Sequence, residues 1–113
     1  MKDFKKLRVW QIGVKIVELT YNITNEFPSS EKFGLSSQMR RCSVSIPSNI
    51  AESSSRETTK SQCQFLKIAL GSLFELETQL VISRNLSLIQ SSKELLDLSD
   101  LIEQERKMIY TYI

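Results

Sequence analysis

The chain has 113 residues, 41% of them apolar and 25% charged, with a formal net charge of +2 and no histidine. Such a length supports one core, which gives a single domain over residues 1–113, and the composition excludes a mainly disordered chain. Lack of histidine removes the commonest general base and zinc ligand, and a balance so near neutral does not by itself point to a polyanionic partner.

Only three glycines and two prolines interrupt the chain, which favours long helices over a sheet that would need frequent turns. Lys2, Lys5, Lys6 and Arg8 open it, but Gln11, Lys15 and Glu18 break the apolar stretch that follows, so a secretory leader is not predicted. No run is apolar enough for a membrane span. A cytoplasmic protein is expected.

The first helix is predicted from about Leu7 to Glu26, with Leu7, Trp10, Val14, Val17, Tyr21 and Thr24 recurring along one face, and Phe27-Pro28 ending it. Ser29 to Gly34 reads as a turn. Leu35, Met39, Cys42, Ile46 and Ile50 then form the seam of a second helix, in which Pro47 should produce a kink or a break into two pieces. Ser53 to Thr58 reads as a polar loop, and Thr59 with Gln62 matches a capping box opening a third helix. Leu66, Ala69, Leu73, Leu76 and Leu80 form its core seam, with Cys63, Leu70, Phe74 and Val81 as a second seam beside it and Phe65, Ile68 and Ile82 flanking. A face so broad needs more than one partner surface, and Gly71 within it marks an expected close approach. Ser91 with Glu94 caps a fourth helix, whose stripe is Leu95, Leu98, Ile102, Ile109 and Tyr112, with Asp97, Asp100, Glu103 and Glu105 on an acidic outer surface. Short loops between long helices give an all-α, antiparallel up-down-up-down four-helix bundle.

Nothing in the pattern supports catalysis, a metal or a cofactor: no Ser-His or Cys-His pair, no glycine-rich phosphate loop, no His-carboxylate spacing. Glu75 and Glu77, two apart, point to different sides of a helix. Cys42 and Cys63 read as buried, reduced thiols.

Two sets of residues remain as candidate sites. Gln38, Arg41, Ser45, Asn49 and Glu52 form a polar stripe beside the seam of the second helix, readable as a solvated flank, a buried or inter-subunit hydrogen-bond network, or a site if Arg41, Asn49 and Glu52 converge in a cleft. The first 60 residues hold ten Lys or Arg against six Asp or Glu. Of these, Lys5, Lys6, Arg8, Lys15, Arg40 and Arg41, with Lys2, line a phosphate-binding face if the first two helices lie side by side; otherwise they are a solvating surface. A helix-turn-helix over Met39 to Leu66 is disfavoured, because Pro47 arrives too early and the following polar loop is too long for the tight turn.

The stretches LSSQMRRCSVSIPSNIAESSSR and FLKIALGSLFELETQL, with LRVWQ near the start, resemble a family of four-helix-bundle proteins. Its founding members are encoded by intervening sequences inside bacterial large-subunit ribosomal RNA genes. The resemblance runs from Phe4 to about Ser87. It implies a ring-like homopentamer, which would cover the broad face of the third helix. Family members carry a ribosomal-protein-like label, and a similar pentameric bundle is the basic accessory protein of diversity-generating retroelements, thought to hold nucleic acid and a reverse transcriptase. This chain departs from the pattern at Cys42, where a small alanine is usual, and at Ser53, where glycine usually follows Ala51-Glu52 and would relax a left-handed helix exit. The expected function is therefore that of a non-enzymatic homo-oligomer binding structured RNA or other nucleic acid through the six cations. A protein-interaction scaffold without nucleic-acid binding is the alternative.

Overall fold

Four helices account for most of the chain in the computed structural model, which describes residues 3–113: α1 (Arg8–Thr24), α2 (Leu35–Ser55), α3 (Thr59–Asn85) and α4 (Ser92–Tyr112). Short 3-10 turns at Phe4–Lys6 and Ser29–Glu31 precede α1 and α2. The helices pair around a closed ring, α1 with α2, α2 with α3, α3 with α4 and α4 with α1, giving the expected bundle. Cross-helix contacts set the directions. Arg40 meets Thr24 while Pro47 faces Gly13, and Ser53 meets Gln62 while Met39 meets Ser83, so neighbours run antiparallel. The 27-residue α3 rises about 40 Å at 1.5 Å per residue, nearly the 43 Å long dimension of the molecule. No helix among the described residues is long and apolar enough to cross a membrane.

The core is aliphatic. Met39, Ile46 and Ile50 of α2, Leu66, Ala69, Leu73, Leu76 and Leu80 of α3, and Leu98, Ile102 and Ile109 of α4 are buried at the positions the periodicity selects. In α1 the buried line is instead Val9, Ile12, Ile16, Thr20 and Ile23, with the predicted Trp10, Val14 and Val17 half-buried beside it and Tyr21 exposed. Both lines are apolar, so spacing alone does not tell which one is central. Thr20 and Thr24 fit an apolar helix side because each hydroxyl donates to the carbonyl four residues earlier, at 2.7 and 2.8 Å.

Pro47 does not divide α2, which runs unbroken from Leu35 to Ser55. Its ring is buried against Gly13, so tertiary packing holds a residue that would cost an isolated helix about 3 kcal/mol. Half of the predicted polar loop is helical. The hydroxyls of Ser54 and Ser55 donate back to Ala51 and Glu52, and that of buried Ser53 donates to the Gln62 carbonyl at 2.9 Å. Ser53 is therefore an α2–α3 contact within a helix and not a left-handed exit. The connection shrinks to residues 56–58, and the α3 cap is Thr58, one residue before the predicted Thr59, accepting from the Ser61 N–H at 3.1 Å.

A β-carbon on Gly71 would meet nothing within 4 Å, so this glycine is exposed and marks no close approach; that role belongs to Gly13. The α4 cap is as expected, with Ser91 accepting from the Glu94 N–H. Asp97, Asp100 and Glu103 are exposed, but Glu105 is wholly buried. Tyr112 is 42% exposed, so the α4 core stripe stops at Ile109.

Candidate nucleic-acid interface

The predicted cations fall into two groups because α1 and α2 are antiparallel. Lys5 and Lys6 lie on the first 3-10 turn and Arg8 starts α1, whereas Arg40 is beside Thr24, at the other end of that helix. Sixteen residues of helix separate those ends, about 24 Å. Lys15 shares a line with Arg8, seven residues away, and lies about 120° around α1 from Tyr21, against which Arg40 packs. Lys2 lies outside the described residues. The six named residues thus do not form one continuous patch.

Lys5, Arg8, Lys15, Arg40 and Arg41 have no carboxylate partner among the described residues, and Lys6 reaches Asp3 only at 4.0 Å. Arg40 is held in place. Its guanidinium lies 4.7 Å from the centre of the Tyr21 ring, and its Nε–H donates to Thr24 Oγ1 at 2.8 Å. Arg41 reaches solvent on the adjacent side of α2.

These two arginines border a cleft of about 620 Å³ where the end of α1, the second 3-10 turn and the start of α2 meet. Lys32, Phe33, Ser36 and Ser37 also line it, none of which stood out in the sequence. A run of Lys32-Phe33 between a turn and a helix start carries no periodic signal. The only available cue was an aromatic residue next to a cation in a loop.

The polar stripe of α2 separates into parts. Ser45 Oγ lies 2.9 Å from Ser72 Oγ of α3, and the Asn49 amide donates to the Ser45 carbonyl and hydroxyl at 2.8 and 3.0 Å. That is a small network on the α2–α3 seam. Gln38 and Arg41 are exposed and line a smaller groove of about 460 Å³ together with Glu75, and exposed Glu52 pairs with Arg56 at 2.9 Å. Eleven residues, about 16 Å of helix, separate Arg41 from Glu52, so Arg41, Asn49 and Glu52 do not converge on one point.

The thiol of buried Cys42 donates to the Ser72 carbonyl at 3.0 Å; burial, and then the Glu75 charge, push its pKa up to about 12. Held protonated, it is a packing group and not a nucleophile. Cys63 is free and half-buried.

The family of 23S rRNA-intervening sequence proteins matches this chain over residues 5–111, from the first 3-10 turn almost to the end of α4. The chain belongs to that family. A comparison with curated proteins found no match.

One feature of this intervening-sequence protein was invisible in its sequence. Glu105 is 0% exposed, neither carboxylate oxygen has a hydrogen-bond partner among the described residues, and burial alone raises its pKa to about 8. It projects between α1 and α2, where Gly13 and Pro47 leave it room. Its position among acidic neighbours made it read as surface.

Proposed function

We propose that this intervening-sequence protein is a non-enzymatic homo-oligomer, acting in the cytoplasm, that binds structured RNA through Lys5, Lys6, Arg8, Lys15, Arg40 and Arg41. The observation that carries the reading is that five of these six have no carboxylate partner among the described residues. By contrast, two exposed acids of α4 are paired within their own helix, Asp97 with Lys93 and Glu103 with Lys107. Cations left unneutralised on a near-neutral protein are available to displace counterions from phosphates. Two groups some 24 Å apart suit a folded RNA that crosses the bundle better than a single phosphate.

Self-association is supported by the outer seam of α3. Leu70 is half-buried, while Phe74 and Val81 remain 45% and 42% exposed in the single chain. A ring of copies, five by the family resemblance, would cover that line and multiply the phosphate contacts. The same seam could serve a scaffold that recruits a protein and no RNA. Equilibrium binding to a structured ribosomal RNA fragment across a salt series separates the two readings: six phosphate contacts on a duplex give a log–log slope of about −5, whereas a protein partner gives a weak one.

A further inference from the structure

The cleft at the α1–α2 corner has a chemistry that the six-cation reading does not use. Phe33 stands at its edge with 89% of its surface exposed, the most exposed large apolar residue in the described chain. Lys32 Nζ lies 5.5 Å from the centre of that ring, and the opposite wall carries the Arg40–Tyr21 stack at 4.7 Å. Three cations, Lys32, Arg40 and Arg41, line the cleft and no carboxylate does. Glu31, just before Lys32 in the chain, accepts from the Leu35 N–H at 3.2 Å at the start of α2, and Glu75 lines the adjoining groove, which shares Phe33, Ser37 and Arg41. Ser36 and Ser37 also line the cleft, and neither hydroxyl has a hydrogen-bond partner among the described residues.

We infer that this cleft binds an unpaired nucleotide segment of RNA, with a base stacked on Phe33 and adjoining phosphates held by Lys32, Arg40 and Arg41. The inference rests on the RNA-binding reading above and assigns to it a single-stranded subsite. An exposed phenyl ring offers a face to a base that has lost its stacking neighbour, and a duplex has no such base to give. Bare cations answer the phosphates, and hydroxyls can pair with base edges or a 2′-OH. An acidic peptide would match the cations but leave the ring idle. A second copy of the chain would cover the ring but bring no charge to meet three cations.

The test is fluorescence anisotropy with a labelled oligouridine, whose bases are largely unstacked, and separately with a blunt RNA duplex, using wild type, Phe33→Ala and Phe33→Tyr. Because Phe33 is exposed, neither substitution should disturb folding, and circular dichroism checks this. Phe33→Ala is expected to weaken oligouridine binding about tenfold, the loss of one stacked base, while Phe33→Tyr retains it and duplex binding stays unchanged. The oligouridine salt slope, about −2 for three phosphates on a single strand, should be the same in all three proteins, since the ring carries no charge. Unchanged oligouridine affinity in Phe33→Ala, with duplex binding intact, would overturn the subsite and leave the RNA reading standing. Absence of binding to both RNAs would overturn both. A lower solution mass for Phe33→Ala would assign the ring to a subunit contact. Polyglutamate binding weakened equally by the variant would assign the cleft to acidic peptides. Either result overturns the proposal.

Discussion

Oε2 of Glu105, on α4, lies 3.0 Å from the position that a β-carbon on Gly13 of α1 would occupy. The same position is 3.2 Å from Pro47 Cβ on α2, so three helices meet where α1 carries no side chain. Gly13→Ala is expected to destabilise the bundle by about 1–3 kcal/mol, since the proline ring cannot yield and the carboxyl is walled in. Gly71→Ala, with open space around it, should instead stabilise by about 1 kcal/mol through helix propensity. Chemical denaturation of the pair checks both signs. Equal effects would contradict the packing described.

Glu105 gives stability a particular dependence on pH. Below pH 4.5 the carboxyl is protonated in both folded and unfolded chains, so burying it involves no ionisation. Between pH 4.5 and about 8 the unfolded chain is ionised while the bundle holds its proton. Unfolding then releases a proton, and this group's contribution falls by about 1.4 kcal/mol per pH unit until it levels above the folded-state value. Glu105→Gln cannot ionise. Its stability relative to wild type should rise across that window by several kcal/mol. Urea titrations of both proteins at pH 5 and pH 8 read the difference, and a pH-independent gap would remove the buried-acid account.

Ser87 closes α3 in a left-handed conformation, φ 59°, and is the one non-glycine residue with positive φ among those described. Its N–H donates to the Arg84 carbonyl and that of Leu88 to the Ser83 carbonyl, the paired bonds that end a helix by reversal. Ser87→Gly removes the clash of the β-carbon and should stabilise by about 1 kcal/mol, visible as a higher thermal midpoint.

Phe74→Lys tests the outer seam of α3. With Phe74 45% exposed, the single chain should tolerate lysine there, and the proposed self-association predicts that helicity is retained while the mass in sedimentation equilibrium falls from that of the wild-type oligomer toward that of the monomer. A full-mass oligomer of unchanged stability would remove Phe74 from the subunit interface.

The bundle was legible because α2 and α4 each present one apolar line, because the buried line of α3 from Leu66 to Leu80 is the one its spacing selects, and because Ser91 with Glu94 marks a helix start in four letters. Where two lines compete, as in α1, spacing does not choose between Trp10-Val14 and Ile12-Ile16. Which residues face each other across neighbouring helices decides what remains. Glu105 looks like Glu103 until Gly13 and Pro47 are brought opposite it, and Arg8 and Arg40 look like one patch until the contact of Arg40 with Thr24 sets them at opposite ends of α1. Pro47 reads as a breaker when only its own helix is considered. Phe33, in a short turn, has no pattern to belong to, and only the fold sets it beside Arg40 and Arg41.

The measurement bearing most directly on the RNA-binding account is equilibrium binding of the purified protein to a structured ribosomal RNA fragment across a salt series. Lys5→Ala/Lys6→Ala and Arg40→Ala/Arg41→Ala variants belong alongside it. Micromolar or tighter affinity is expected, falling steeply with salt, with each double variant reducing the slope by about 2. Because the two groups occupy opposite ends of α1, the losses should be independent and additive. No binding at low salt, or binding indifferent to salt and to both variants, would contradict the account and leave the protein-scaffold reading in its place.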